Sequence, residues 1–192
     1  IDKLVDGNSC YSPKRAIEVG RMLEQEGITH FEEPCPYWEF EQTKQVTDAL
    51  SIDVTGGEQD CEIRTWKDMI NQRVVDILQP DIMYIGGLTR TLEIAKLAEP
   101  SGVPITPHAA NWSMVTLCTM HFLKAIPNAG KYLEFSIEGA DYYPWQYGLF
   151  RNDPYVIKEG HATITEEPGW GVEISPEWLD KPTYKVSELP DK

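Results

Sequence analysis

The sequence predicts an α/β fold, an incomplete TIM-type (β/α) barrel of about six parallel strands followed by a C-terminal wrapping segment. Two observations support it: short apolar runs end at or near an acidic or basic side chain, and a stretch long enough for a helix follows each run. These side chains, spaced 23 to 27 residues apart, are Asp6, Glu32, Glu58, Asp81, His108 and Glu134. The carboxyl ends of parallel barrel strands share one face, where active sites are built. We therefore expect the six residues to form one site.

Each predicted strand is one of the apolar runs. In chain order they are Leu4-Val5, Ile28 to Phe31, Ile52 to Val54, Val75 to Leu78, Val103 to Ile105 and Tyr132-Leu133. After the first run, Ser12-Pro13 is typical of a helix N-cap followed by proline, and Gly27 is typical of a helix stop. Later helices are predicted at Ile63 to Ile70, Thr91 to Ala98 and Trp112 to Ala125. Strands and helices that alternate in this way curl the sheet toward a barrel, because their crossovers share one hand.

The chain is short for a complete barrel. Eight strand–helix units usually need about 250 residues, whereas this chain has 192 residues and six predicted strand ends. We interpret the chain as the C-terminal part of something longer, with two barrel strands outside it. Residues 1–136 are predicted to form the partial barrel that carries the site, and residues 137–192 the C-terminal segment.

Composition limits the partners. The net charge is −14, which disfavours binding to phosphate backbones. No apolar run approaches the roughly 20 residues of a membrane span, and the four cysteines show no CxxC pairing, so a reduced, cytoplasmic setting is predicted. Cys10, Cys35 and Cys61 each follow a strand-end carboxylate, which leaves a soft-metal cluster as a weak alternative to small buried loop residues.

Three strand-end carboxylates predict a metal site. Asp6, Glu32 and Glu58 come from successive strands, and three carboxylates on one face repel one another unless a cation lies between them. Oxygen ligands of this kind suit Mg²⁺. For a single acid, ordinary surface exposure would be the better explanation, since the chain holds 31 Asp and Glu residues.

The next three strand ends predict acid–base chemistry. Asp81 and His108 fall on neighbouring strands, where the carboxylate can fix the imidazole tautomer and raise its basicity. Glu134 completes the ring and, if protonated, can donate a hydrogen bond to a substrate oxygen. A divalent ion beside a general base suggests abstraction of the proton next to a substrate carboxylate.

The ordered motifs resemble the mandelate racemase/muconate lactonizing enzyme branch of the enolase superfamily. The matching segments are Val5 to Asn8, Phe31 to Pro34, Gly57-Glu58, Gln79 to Gly87, Thr106 to His108, Leu133-Glu134 and Pro168 to Glu173. The resemblance implies that Asp6, Glu32 and Glu58 bind Mg²⁺, that His108 and Asp81 form the catalytic dyad, and that Glu134 contacts the substrate carboxylate. It also suggests a polar substrate contact for Asn8 and a supporting role for Glu33.

The resemblance also implies what the chain does. Dehydration of a sugar acid, an aldonate or aldarate, is the favoured reaction, by a homo-oligomeric enzyme. Racemisation or epimerisation of a hydroxy acid and cycloisomerisation are the alternatives, and an inactive Mg²⁺-binding fragment is a third. The family's capping domain, toward which residues 137–192 are expected to return, and its Lys-x-Lys strand are not found in these residues. Lys3 lies on the strand that ends at Asp6 and does not replace that motif, so the 192-residue chain alone is expected to be inactive.

Overall fold

The computed structural model describes residues 1–109, 112–138, 141–143, 148–181 and 183. Strands and helices alternate through the first 125 residues, as predicted. The elements are β1 (Leu4–Asp6), α1 (Pro13–Gln25), β2 (His30–Glu32), α2 (Phe40–Ala49), β3 (Asp53–Gly56), α3 (Ile63–Gln72), β4 (Ile77–Leu78), α4 (Leu88–Ala98), a 3₁₀ turn (Glu99–Ser101) and α5 (Met114–Ala125).

The sheet is parallel and follows chain order. Strands β1 to β4 lie side by side, with Asp6 of β1 in register with Glu32 of β2. Two single parallel bridges extend the sheet, from Leu78 to Ile105 and from Ile105 to Ala129. Six strand positions therefore occur in sequence, which confirms the predicted parallel α/β architecture.

The sixth strand position lies earlier than the predicted run Tyr132-Leu133. The Ile105 amide donates to the Asn128 carbonyl oxygen at 2.9 Å, and the Gly130 amide donates to the Ile105 carbonyl oxygen at 2.6 Å. A Cβ at Gly130 would lie 2.0 Å from Oγ1 of Thr106, so the close pairing there depends on glycine. The apolar pattern did not reveal this pairing, because it is made by small and polar residues.

The helix boundaries agree closely with the sequence signals. Helix α1 begins at Pro13, and Gly27, just after its end, has a φ of 69°. Ser12 occupies the N-cap position, but its side chain makes no capping hydrogen bond. Helix α5 begins with a capping bond, in which the Val115 amide donates to Oγ of Ser113 at 3.3 Å.

The core lies between the sheet and the helices that cover it. Phe31 of β2, Val54 of β3 and Trp66 of α3 are completely buried. Strand β2 is buried along its whole length, whereas β1, at the sheet edge, is mostly exposed, and Leu4 is 48% exposed. The contrast identifies β1 as an open edge of the sheet.

Side chains bridge the open side of the sheet. Nζ of Lys131 lies 2.7 Å from Oδ2 of Asp2, which also accepts a hydrogen bond from the Tyr132 hydroxyl. The rings of Tyr132 and His30 meet edge to face at a centroid distance of 5.9 Å. Within the described ranges, no backbone ladder joins β1 to the Asn128–Gly130 segment.

The C-terminal segment packs against α5. It holds a two-stranded antiparallel hairpin, β5 (Ile157–Lys158) and β6 (His161–Ala162), and a short helix α6 (Pro176–Leu179). Tyr155 is buried in a second apolar cluster with Leu117 and Met120 of α5. The boundary at residues 136/137 and the return toward a capping domain stay predictions.

Two further observations concern composition. No helix in the described part of the chain combines the length and apolarity needed to cross a bilayer. Cys35 is buried in the main core, whereas Cys10 and Cys61 are exposed. None of these cysteines belongs to a metal-binding group within the described residues, so the soft-metal cluster is not formed.

Candidate active site

The strand ends bring the predicted residues to one face. Asp6 and Glu32 are the last residues of β1 and β2. Glu58 follows β3, and Asp81 follows β4, each after a few residues. His108 and Glu134 follow the bridged positions Ile105 and Ala129.

His108 is the centre of the site. Its Nδ1 lies 2.7 Å from Oδ2 of Asp81, and its Nε2 lies 3.5 Å from Oε2 of Glu58. The Nδ1–H donates to Asp81, which orients the ring and directs Nε2 toward the carboxylates. Burial lowers the pKa of His108, but the Asp81 hydrogen bond and the charges of Glu58, Glu134 and Asp81 outweigh that effect and raise it to about 9.

Glu134 is fixed beside the dyad by the main chain. Its Oε2 accepts a hydrogen bond from the Ala109 amide at 2.6 Å. The carboxyl group is therefore held next to His108, near the edge of the sheet that is farther from β1. This position suits the predicted contact with a substrate oxygen.

The carboxylates of the site interact strongly. Burial is the main reason that the pKa of Glu32 rises to about 8, and the charges of Asp6, Glu58 and Glu134 raise it further. Burial likewise raises the pKa of Glu58, and the charges of Glu134 and Asp6 add to the effect, against the lowering influence of His108 and a hydrogen bond with Glu32. The repulsion among these groups is the property expected of a cation-binding cluster.

Oxygen donors of this number and charge fit a divalent cation such as Mg²⁺. Within the described residues, however, no three His, Cys, Asp or Glu side chains are gathered closely enough to hold an ion as they stand. Asp6 is engaged locally, because its Oδ1 accepts from the Asn8 amide at 2.6 Å and its Oδ2 from the Asn8 side chain at 3.1 Å. The ligand set of Asp6, Glu32 and Glu58 and the substrate contact of Asn8 remain predictions.

A tight turn positions Glu58. The Asp60 amide donates to the Gly57 carbonyl oxygen at 3.0 Å. Gly57 has a φ of 112°, and a Cβ there would lie 2.6 Å from the ring of Trp66. Trp66 in turn donates from Nε1 to the Asp60 carbonyl oxygen at 3.1 Å. The turn thus rests directly on a buried core side chain.

Sequence reasoning assigned no role to several neighbours of these residues. Gln79 is buried and makes a side-chain hydrogen bond to Glu32. Oγ of Ser9 donates to Oε2 of Glu33 at 3.1 Å, while Oε1 of Glu33 is buried without a partner.

Tyr84 places its ring beside His108 at a centroid distance of 5.8 Å. Gln79 and Tyr84 lie within a motif noted from the sequence, which was the available signal.

A cavity of about 340 Å³ opens beside the site on the incomplete side of the sheet. Glu32, Gln79 and Glu134 contribute its polar lining, and Leu4 and Tyr132 border it from the two open edges. The site therefore opens directly into the gap between β1 and the sixth strand position.

A parallel (β/α) unit with carboxylates and a His–Asp pair at its strand ends defines the class: part of a barrel-type α/β protein, a fold in which active sites are built at the carboxyl ends of the strands. The family model for enolase C-terminal domain-like proteins matches residues 1–178, and the chain belongs to this family.

Relatives and solved structures agree with this assignment. The chain is 30% identical over 191 residues to a D-mannonate dehydratase from Novosphingobium aromaticivorans, covering 97% of this chain and 46% of the relative. A crystal structure from Roseobacter denitrificans, for which racemase activity has been suggested, superposes with a TM-score of 0.93 at 67% identity and covers 98% of this chain and 52% of that protein. A mandelate racemase/muconate lactonizing protein from Paracoccus denitrificans, complexed with magnesium, gives a TM-score of 0.82 at 32% identity, covering 92% and 46% of the two chains. The chain spans about half the length of these proteins.

Proposed function

We propose that the whole protein to which these residues belong is a Mg²⁺-dependent dehydratase of a sugar acid, an aldonate or aldarate. The observation that carries the proposal is the position of His108, with Nδ1 at 2.7 Å from Asp81 and Nε2 at 3.5 Å from Glu58. A histidine oriented in this way faces the carboxylate cluster. Mg²⁺ held by that cluster would attract the acid group of a substrate. The D-mannonate dehydratase relative supports the choice of substrate class.

The chain's own residues account for the proton transfers. Asp81 accepts the Nδ1 hydrogen bond, so Nε2 of His108 is the atom that takes the α-proton or protonates the departing hydroxyl group. Glu134, held by the Ala109 amide, lies where it can contact a substrate carboxylate oxygen. Asp6, Glu32 and Glu58 would hold Mg²⁺, which when bound supplies positive charge beside the substrate carboxylate.

The experiment uses the whole protein with Mg²⁺ and a panel of aldonates and aldarates, and detects the 2-keto-3-deoxy product. We expect turnover of at least one acid, its loss on addition of EDTA, and a fall in kcat of at least about 100-fold in His108→Asn. His121→Asn is the matched control, because His121 lies on α5 and contacts Trp170 outside the site. Full turnover by His108→Asn would refute the assigned base.

Racemisation or epimerisation is the second candidate, and the 67% identity to the Roseobacter denitrificans protein favours it. In D₂O, a racemase or epimerase incorporates deuterium at the α-carbon and returns a stereoisomer without losing water. A dehydratase instead releases a keto acid. Product analysis by NMR separates the two, and a cycloisomerase would be identified by ring opening or closure without either outcome.

The isolated 192-residue chain is expected to be inactive, because its site opens into the gap beside β1 and none of the described residues covers it on that side. Mg²⁺ binding without turnover by this chain, and turnover by the whole protein, would fit the proposal. The same assay on the chain alone provides the comparison.

A further inference from the structure

Tyr84 is an exposed aromatic side chain inside the candidate site. Its ring is tilted by 35° to the ring of His108 at a centroid distance of 5.8 Å, and the residue is 54% exposed. The half-exposed Tyr84 ring lies beside the partly buried His108, so its exposed face is open to a molecule bound next to His108. No hydrogen bond of the Tyr84 hydroxyl occurs within the described residues.

The turn that carries Tyr84 is firmly anchored. Ile82 and Ile85 are each only 2% exposed and fix the turn to the core on both sides. Oδ1 of Asp81 accepts hydrogen bonds from the Met83 amide at 2.7 Å and the Tyr84 amide at 3.0 Å. The same carboxylate holds His108 through Oδ2, so one side chain sets the positions of both rings.

We infer that the exposed face of the Tyr84 ring is the platform on which the carbon chain of the substrate packs, so that Tyr84 is a specificity-determining residue. This inference rests on the proposed function, because it takes a polyhydroxy acid as the ligand. The C–H bonds of such a chain carry partial positive charge and suit the negative face of an aromatic ring. The contact uses the ring and does not need the hydroxyl group.

The test measures equilibrium affinity, so that it does not depend on turnover. The whole protein, loaded with Mg²⁺ and carrying His108→Asn in every variant, is titrated calorimetrically with D-mannonate and with D-gluconate. Tyr84→Ala removes the platform and Tyr84→Phe keeps it. Trp170→Ala is the matched control, since Trp170 is also an exposed aromatic beside a histidine, His121, but lies outside the site.

We expect Tyr84→Ala to weaken binding of the better acid about tenfold, and Tyr84→Phe and Trp170→Ala to change it by less than about twofold. Equal affinity of Tyr84→Ala and the parent overturns the inference, and so does a loss in Tyr84→Phe as large as that in Tyr84→Ala. With His108 restored, an increase in KM at unchanged kcat supports the platform. Failure of the whole protein with His108 intact to dehydrate any acid counts against the proposed reaction alone, because the affinity comparison is made without turnover.

Discussion

Asp81 performs two tasks with its two oxygens. Oδ2 accepts from His108, and Oδ1 accepts from the amides of Met83 and Tyr84. The orientation of the His108 ring and the shape of the loop beside it are thus set by one carboxylate. The first task was predictable, because neighbouring strand ends place Asp81 and His108 together. The second was not, because it depends on a local turn that strand spacing does not define.

Asp81→Asn should separate these tasks. An asparagine keeps one oxygen, which can still accept from the turn amides, but its NH₂ group then faces Nδ1 of His108 and favours the tautomer with the proton on Nε2. That tautomer cannot accept the α-proton. We expect kcat of the whole protein to fall about 10³-fold, and the free energy of unfolding to change by less than about 1 kcal/mol.

Steady-state kinetics and urea denaturation measure the two effects of Asp81→Asn. Asp76→Asn is the control, because Asp76 lies before β4, at the other end of the strand, and accepts from the Val54 amide at 3.0 Å. A kcat for Asp81→Asn equal to that of Asp76→Asn would show that the dyad assignment is wrong.

Glu24 should make stability depend on pH. Its Oε1 accepts from the Ser51 amide at 2.5 Å and from the Ser51 hydroxyl at 2.8 Å, and the amide hydrogen bond is the main reason that its pKa is lowered below 4.5. The folded state prefers the charged form, so this stabilisation is present above pH 4.5 and is lost as the pH falls through the lowered pKa.

Glu24→Gln keeps the acceptor but removes the charge. Because the group is partly exposed, we expect the parent to exceed the variant by only about 0.5–1 kcal/mol at pH 7. The difference should shrink in urea titrations as the pH is lowered below 4.5 and through the lowered pKa of Glu24. A difference that persists unchanged at low pH would mean that packing, and not charge, explains the effect.

At the scale of elements, the sequence predicted the alternation and most helix boundaries, because proline, glycine and apolar periodicity mark them directly. The predicted position of the sixth strand, Tyr132-Leu133, was wrong. The segment that pairs with Ile105 is Asn128 to Gly130, which is not an apolar run. The sequence also could not show that Glu58 sits on a turn supported by Trp66, because that contact joins a loop to a side chain of the following helix.

Gly57→Ala tests how strongly the β3–α3 turn depends on that contact. The substitution adds strain at a φ of 112° and a Cβ 2.6 Å from Trp66. We expect it to lower the free energy of unfolding by about 2–4 kcal/mol. Gly27→Ala is the matched control, with a φ of 69° and open space around the new Cβ, and should cost only about 1 kcal/mol.

Urea denaturation of the three proteins measures these differences. Equal losses for Gly57→Ala and Gly27→Ala would show that backbone conformation alone matters and that Trp66 moves freely. A larger loss for Gly57→Ala, with weaker Mg²⁺ binding, would show that the buried ring fixes the position of Glu58.

At the scale of the whole molecule, the open side of the sheet is the dominant feature. The number of strand ends predicted it, but the bridge of Asp2 with Lys131 and Tyr132 was not foreseeable, because it depends on how closely the two edges approach. Asp2, Lys131 and Tyr132 are all exposed, and exposed ion pairs contribute little stability. The bridge therefore does not replace backbone pairing along β1.

An unpaired strand edge is a template for association, so we expect the isolated 192-residue chain to form oligomers through β1. Its net charge of −14 opposes this, and added salt should strengthen association by screening the repulsion between copies.

Leu4→Lys places a charge on the exposed edge and should shift the chain toward monomer. Leu179→Lys, on α6, is the control, because Leu179 is similarly exposed, at 57% against 48% for Leu4, but lies outside the sheet. Sedimentation velocity over a range of protein and salt concentrations makes the comparison. Suppose that the parent chain stays monomeric at all these concentrations and unfolds cooperatively. The side-chain bridge between Asp2, Lys131 and Tyr132 would then be sufficient to join the two edges, and β1 would not mediate association.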